Sequence, residues 1–286
     1  MDVTLVVNRS AGGGNHSRRE LRRRLEAEGH RVEVGARRGK GLRRAVRRPA
    51  DLVVVAGGDG TVGGVIKALA GSRTPLAILP LGTANNIAIS LGIRGTPEEL
   101  IARWRDARPM HVAVGRVRGP WGEIPFVESV GVGLLARLMS PALEAAIADV
   151  DDARTRMKRL VRSMRLGDWR VKLDGQDLSG EYLLIEAMNV RCAGPNFCLA
   201  TPSRPGDGRL QVVFAGERDR ALIRRLVERG AEIPASLPSR AARRLTIWCR
   251  RQDLHVDDTH GKYLWDGGRI IRVDVELNGG GVDILV

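Results

Sequence analysis

Residues 52–64 read Leu-Val-Val-Val-Ala-Gly-Gly-Asp-Gly-Thr-Val-Gly-Gly. Leu52 to Ala56 is an unbroken apolar run, as in a strand buried on both faces. Glycines follow at once, and Val65 to Leu69 resumes as a helix. Strand, glycine-rich turn and helix in that order make one unit of a parallel sheet. The turn has a physical reason for its composition. Glycine lets the backbone approach a phosphate and adopt positive φ. The helix start offers N–H groups and the positive end of its dipole. Asp59 puts a carboxylate where a metal or a phosphate-bound water would sit, and Thr61 is placed to cap the helix. A structural reading stands beside this one, in which Asp59 only fixes the loop. The chain has no GxxxxGK[ST] Walker loop.

The same alternation extends on either side. Val3 to Val7 reads as a strand, followed by Asn8-Arg9-Ser10-Ala11-Gly12-Gly13-Gly14. His16 to Glu28 reads as a helix with Leu21 and Leu25 on one face, ended by Gly29. Arg31 to Val34 is a further strand, and Gly41 to Arg48 a basic helix stopped by Pro49. Leu76 to Leu79 is another buried strand. The loop through Gly82, Thr83, Ala84, Asn85 and Asn86 follows it, then a helix over Ile87 to Leu91. These elements predict a doubly wound parallel α/β domain over residues 1–112. All three small-residue loops fall at the carboxyl ends of strands, where such sheets bind ligands, so they predict a nucleotide-phosphate site.

The pattern changes near Arg108-Pro109. Met110 to Val117, Trp169 to Leu173, Tyr182 to Asn189, Leu210 to Phe214, Leu245 to Cys249 and Ile270 to Leu277 read as strands. Turn signals at Asp174-Gly175, Asp207-Gly208 and Gly267-Gly268 separate them. Helical inserts are predicted over Pro141 to Arg165 and Asp219 to Arg229. Residues 113–286 therefore read as a second, antiparallel β domain.

Lys and Arg number 47 against 33 Asp and Glu, a net charge of +14, while aromatics are only 3%. The charge calls for an anionic partner. The scarcity of aromatics speaks against single-strand recognition by base stacking, and no nucleic-acid motif occurs, so nucleic acid is not an expected partner. The start lacks a basic segment leading into a long apolar core, and the apolar runs fall well short of the roughly 18 residues of a membrane span. The expected location is cytoplasmic, with peripheral contact at the inner membrane face. Cys192, Cys198 and Cys249 are odd in number and form no CxxC, and His255 and His260 complete no zinc spacing. Three reduced thiols are expected.

At this point the chain resembles the diacylglycerol kinase catalytic-domain family, which includes bacterial lipid kinases and the sphingosine and ceramide kinases. Asn-Arg-Ser-Ala-Gly-Gly-Gly at 8–14 is similar to the family's NPxSG, and GGDGTVGGV at 57–65 to GGDGTxNEV. LPLGTANNIAISLGI at 79–93 resembles PxGTxNDFAxxLG and is the most specific match. ESVGVGLLA at 128–136 and the stretch from Met188 to Ala215 resemble two second-domain segments of the family. NAD kinases share only the GGDGT core.

The resemblance implies a β-sandwich as second domain, an active site in the cleft between the domains, and ATP and Mg²⁺ as cofactors. The γ-phosphoryl group would pass to the hydroxyl of diacylglycerol or a similar lipid alcohol. Asn8, Ser10, Gly57, Gly58, Asp59, Gly60, Thr61, Gly82 and Thr83 become the nucleotide contacts. Asp207 becomes the metal carboxylate, with the backbone carbonyls of Arg204 and Arg209 beside it. Arg37 and Arg38 fall where the family has a nucleotide-contacting Thr.

The chain also departs from the family pattern. Gly63-Gly64 replace Asn-Glu, Asn86 replaces Asp, and Leu134-Leu135 lack the Asp of GxGxDA. In the C-terminal DGE motif, Asp257 matches the Asp while Thr259 stands where the general base belongs. Thr does not accept a proton at neutral pH, so Asp257, Asp258 and His255 are the substitutes, and Asp59, Asp257 and Asp258 are the candidate catalytic residues. These departures also suit a kinase-fold module that binds nucleotide or lipid without turnover. A soluble-substrate kinase of NAD-kinase type is the third alternative.

Arginines crowd the first two helices, the stretch Arg154 to Arg165, and Arg224 to Arg244. They read as solvated faces or as an anionic-membrane contact. Pro141 to Arg165 has an apolar side and a basic side, suiting either core packing or the membrane interface. The oligomeric state is left open, a homodimer included.

Overall fold

The computed structural model describes residues 1–8, 17–140, 143, 147, 149–200, 205–229, 237–260, 269–278 and 280–286. They divide into two compact units, Met1–Val114 together with the end of the chain, and Gly115–Asn278.

The first unit runs β1 (Asp2–Val7), α1 (Arg18–Ala27), β2 (Arg31–Val34), α2 (Gly39–Val46), β3 (Leu52–Gly57), α3 (Asp59–Leu69), β4 (Leu76–Pro80), α4 (Asn86–Ser90), α5 (Pro97–Arg103) and β5 (Pro109–Ala113). Its sheet has the order β2-β1-β3-β4-β21-β5, where β21 is Gly281–Leu285. β2, β1, β3, β4 and β21 are parallel, and β5 is antiparallel to β21. Every residue of β3 is buried, as its all-apolar composition requires of a central strand. α1 starts where the Ser17 hydroxyl accepts the Glu20 N–H, and it buries Leu21 and Leu25. α5 starts at a capping box of Thr96 and Glu99 with Pro97 in its first turn.

The second unit contains β6 (Gly115–Gly119), β7 (Gly122–Phe126), β8 (Ser129–Gly133), α6 (Leu134–Leu138), α7 (Val150–Ser163), β9 (Gly167–Leu173), β10 (Gln176–Asp177), β11 (Gly180–Tyr182), β12 (Leu184–Met188), β13 (Cys192–Ala193), β14 (Phe197–Cys198), β15 (Leu210–Ala215), α8 (Arg220–Arg229), β16 (Ser239–Ala242), β17 (Arg244–Arg250), β18 (Leu254–Val256), β19 (Thr259–His260) and β20 (Ile270–Glu276). One sheet runs β10-β9-β17-β20-β6-β7, with β11 also on β9, and a second runs β16-β15-β12-β8-β18-β19. Alternate residues of both sheets form one core, among them Val171, Ile247 and Val273 from the first, and Val132, Ile185 and Val212 from the second. That is an antiparallel sandwich. The second sheet is buried on its other face too. There Leu184, Met188 and Val213 meet Leu135 of α6, Met157 and Val161 of α7, and Ile223 and Leu226 of α8. Ala153, Met157 and Val161 of the 141–165 region are thus core; 141, 142, 144–146 and 148 lie outside the described residues.

Four differences from the sequence reading have physical causes. The stretch Met110 to Val117 is two strands, β5 in the first sheet and β6 in the second, separated at Val114. The chain's last strand, absent from the sequence reading, belongs to the first sheet and not to residues 113–286 as a block. It is short, follows a glycine run, and is specified by pairing with β4 and β5. α3 begins at Asp59, with Gly58 as an extended N-cap making no side-chain bond, so Thr61 lies inside the first turn and does not cap it. Cys192 and Cys198 form a disulfide across the β13–β14 ladder, where they are directly paired. A six-residue separation becomes a contact only once that hairpin closes. Cys249 is a buried free thiol.

Candidate functional site

β1, β3 and β4 are neighbours, so the turns that leave β3 and β4 share one sheet edge with Asn8. Backbone bonds tie them together. Asn8 N–H donates to the Ala56 carbonyl at 2.9 Å, and Leu81 N–H to the Gly57 carbonyl at 3.1 Å. The two glycine turns pack backbone on backbone. A Cβ placed on Gly82 would lie 2.2 Å from the Gly58 Cα, and one on Gly57 would meet Thr61 and Asn8 at 3.1 and 3.2 Å. Only glycine satisfies the Gly58–Gly82 approach. The bare backbone and the N-terminus of α3 that result are the elements of a phosphate cradle.

Asn85 braces the second turn. At φ 55 its side chain reaches back, Oδ1 accepting the Gly82 N–H at 2.8 Å and Nδ2 donating to the Gly82 carbonyl at 2.7 Å. Thr83 beside it is exposed, as is Gly60 on α3. Arg37 also reaches this edge, its Nη1 donating to Asn8 Oδ1 at 3.0 Å. Ser10 lies outside the described residues.

Asp59 is bonded to the start of α4. Its Oδ1 accepts the Ile87 N–H at 3.0 Å, and the Asn86 and Asn85 amides also bond it. Burial pushes the Asp59 carboxyl above its ordinary value, against these amides, which favour the charged form. The carboxylate serves as a remote cap on α4 and locks one glycine turn to the other.

In the second unit, Asp257 and Asp258 make the two-residue turn between β18 and β19. Asp257 has φ 48 and is buried. Its Oδ1 accepts the N–H groups of Val127 at 3.0 Å and Glu128 at 2.7 Å, while its own N–H donates to the Ser129 carbonyl. Asn189 ties the same segment through its Nδ2, which donates to the Val127 carbonyl at 2.8 Å. Asp257 therefore holds the strand leading into β8. Asp258 is exposed at the tip, and Thr259 is half-buried. His255 is wholly buried, with Nδ1 donating to the Asp257 carbonyl at 2.9 Å and Nε2 3.0 Å from both oxygens of the buried Glu186. It has no access to a substrate. Glu186 went unnoticed in the sequence, although a lone acid within Tyr-Leu-Leu-Ile-Glu-Ala-Met is a usable signal.

Asp207 sits exposed in a turn and accepts the N–H of Arg209 at 2.9 Å, and Arg204 lies outside the described residues. Asp59 is committed to α4. Among the described residues no group of three or more His, Cys, Asp or Glu side chains could hold an ion.

Packed glycine turns at the carboxyl ends of β3 and β4 of an α/β sheet, followed in the chain by a β-sandwich, make a kinase-like fold. Residues 2–117 match the model of the diacylglycerol kinase catalytic domain. It is 29% identical over 228 residues to a protein of Klebsiella pneumoniae described as a probable lipid kinase, YegS-like, covering 75% of each chain. It is 30% identical over 181 residues to a diacylglycerol kinase of Bacillus subtilis, covering 59% of this chain and 56% of that one. The fold is that of a diacylglycerol kinase structure from Bacillus anthracis, with a TM-score of 0.70 at 17% identity over 99% of this chain and 96% of the other. Among the described residues no helix is long and apolar enough to cross a membrane.

Proposed function

We propose that the chain is an ATP-dependent lipid kinase acting on diacylglycerol or a similar lipid alcohol. The observation that carries this is the Gly58–Gly82 approach, which bares the backbone at the carboxyl ends of two adjacent parallel strands. The nucleotide's phosphates lie on that backbone and on the N-terminus of α3, with Asn8, Thr61 and Thr83 as side-chain contacts and Arg37 supplying positive charge. Positioning and charge neutralisation do most of the work of phosphoryl transfer. The γ-phosphorus bond to the ADP oxygen breaks, a bond to the lipid hydroxyl oxygen forms, and ADP leaves. The hydroxyl proton goes to Asp258, the one carboxylate of its turn not committed to backbone amides. Asp59 and Asp257 act as positioning residues. Magnesium, which neutralises phosphate charge when bound, arrives on the nucleotide in this reading.

A second reading has its own observation. Asp257 is locked onto Val127 and Glu128, and Thr259 stands where the family has its acid, which suits a module that binds without transfer. Incubation of the purified protein with γ-labelled ATP, magnesium and a panel of lipid alcohols in mixed micelles separates the two. Labelled lipid supports the kinase; bound ATP with no labelled lipid under any metal supports the module.

A further inference from the structure

Arg37 reaches the edge that carries the glycine turns, through Asn8; the arginines of α1, α2 and the sandwich sheet call for their own account. Those on α1 and α2 have no apolar companion at the surface. Leu21, Leu25, Leu42, Ala45 and Val46 are all buried. On α1, Arg22 is also neutralised by Glu26 and Arg24 by Glu20, and just beyond α2 Arg48 is neutralised by Glu33.

The outer face of the β9-β17-β20 sheet differs. Trp248 of β17 is directly paired with Arg170 of β9 on one side and Arg272 of β20 on the other. The two guanidinium carbons stand 4.4 and 5.8 Å from the indole centroid; Arg272 is paired with Asp274 at 3.0 Å, so the unneutralised charge beside the ring is that of Arg170. One row further along are Arg250 and Ile270. Ile270 is 68% exposed, and apart from the chain's first and last residues it is the one exposed large hydrophobic among the described residues. Beside this row opens a cavity of about 650 Å³. Leu160, Met164 and Leu166 line one part of it, and Arg137, Arg165 and Arg250 another. Asp253 and Asp168 share it, leaving a surplus of positive charge.

An indole flanked by arginines, an exposed isoleucine and a basic cavity with an apolar wall are the parts of an interfacial membrane contact. Trp suits the headgroup level, Ile the acyl boundary, and the arginines the anionic phosphates. We propose that this face, with its cavity, docks the chain onto an anionic lipid bilayer. It deepens the lipid-kinase reading by naming the surface that would meet the membrane holding the substrate, yet it is tested without nucleotide or turnover.

The test is co-sedimentation, without ATP, on vesicles of phosphatidylcholine alone and of equal parts phosphatidylcholine and phosphatidylglycerol. The wild type is expected on the anionic vesicles only. Arg170→Ala with Arg250→Ala is expected to weaken that partition about 30-fold. Ile270→Asn alone is expected to weaken it about tenfold. Arg43→Ala with Arg44→Ala on α2 removes as much charge elsewhere and is expected to bind as the wild type does. Equal losses from the sheet and α2 pairs, or no loss from the sheet pair, would overturn the proposal. So would wild type that ignores anionic vesicles, or release by inorganic phosphate at constant ionic strength, which would assign the arginines to a soluble anion. Circular dichroism of each variant separates loss of binding from loss of fold.

Discussion

His255 and Glu186 face one another across Gly131, with Nε2 3.0 Å from both carboxylate oxygens and neither side chain exposed. Gly131 of β8 is paired with Glu186 on one side and His255 on the other. The missing side chain on the middle strand is what lets the outer two meet. Because Nδ1 donates to the Asp257 carbonyl, this contact also supports the turn bearing Asp257 and Asp258.

The pair holds a proton more firmly than its members do when unfolded. Burial by itself lowers His255, but the Glu186 carboxylate and the Asp257 carbonyl outweigh it and raise the imidazole above 6.5. Burial raises Glu186 as well, against the influence of His255. A raised folded-state value means the contribution is fully present below pH 6.5 and is lost as pH rises through the folded value. Urea unfolding across pH is therefore expected to show the wild type losing stability above pH 6.5 relative to the double variant Glu186→Gln, His255→Gln. A gap that does not change with pH would refute the shared proton. Removing one partner, as in His255→Ala, is expected to cost about 3–5 kcal/mol by stranding a buried carboxyl.

Gly131→Ala tests the same arrangement by volume. The new Cβ would lie 2.2 Å from the Glu186 Cδ. Overpacking of this kind is expected to cost about 1–3 kcal/mol or more. Gly64→Ala is the contrast, since a Cβ there meets nothing within 4 Å inside α3. It is expected to stabilise by about 0.5–1 kcal/mol through helix propensity. Thermal unfolding of both variants reads the opposite signs.

Gly82→Ala is expected to weaken nucleotide binding at least about tenfold, because the turn cannot keep its place against Gly58. Asp59→Ala removes the cap on α4 and is expected to cost about 1–3 kcal/mol of stability as well as affinity. Calorimetric titration with ATP and thermal melts report the two effects. Wild-type affinity in Gly82→Ala would remove the glycine contact from the site.

The cysteines give a count. Native protein is expected to leave a thiol reagent unreacted, because Cys249 is buried and its thiol is pushed up to about 12. Unfolding without reductant exposes one thiol, and unfolding with reductant exposes three. Three thiols without reductant would exclude the Cys192–Cys198 bridge.

The first unit was legible because its punctuation is local. Glycines at 57, 58 and 82 mark turns, and the runs Leu52 to Ala56 and Leu76 to Leu79 mark buried strands. The family segments at 57–65 and 79–93 lie on the same turns. What the sequence concealed is what register decides. Asp59 reads as a phosphate-site acid until α4 arrives beside it, and Asp257 as a catalytic acid until Val127 and Glu128 do. Glu186, Gly131 and His255 lie on three strands far apart in the chain, and Cys192 meets Cys198 only through a hairpin. The last strand opens on a glycine run and has its place set by pairing with β4 and β5.

We propose phosphoryl transfer to a lipid hydroxyl with Asp258 taking the proton. Its most direct test is transfer of label from γ-labelled ATP to diacylglycerol in mixed micelles, wild type against Asp258→Asn. Labelled lipid is expected from the wild type, and from the variant the same ATP affinity with transfer lowered by about 100-fold or more. No labelled lipid from wild type that binds ATP, or a variant as fast as wild type, would contradict it.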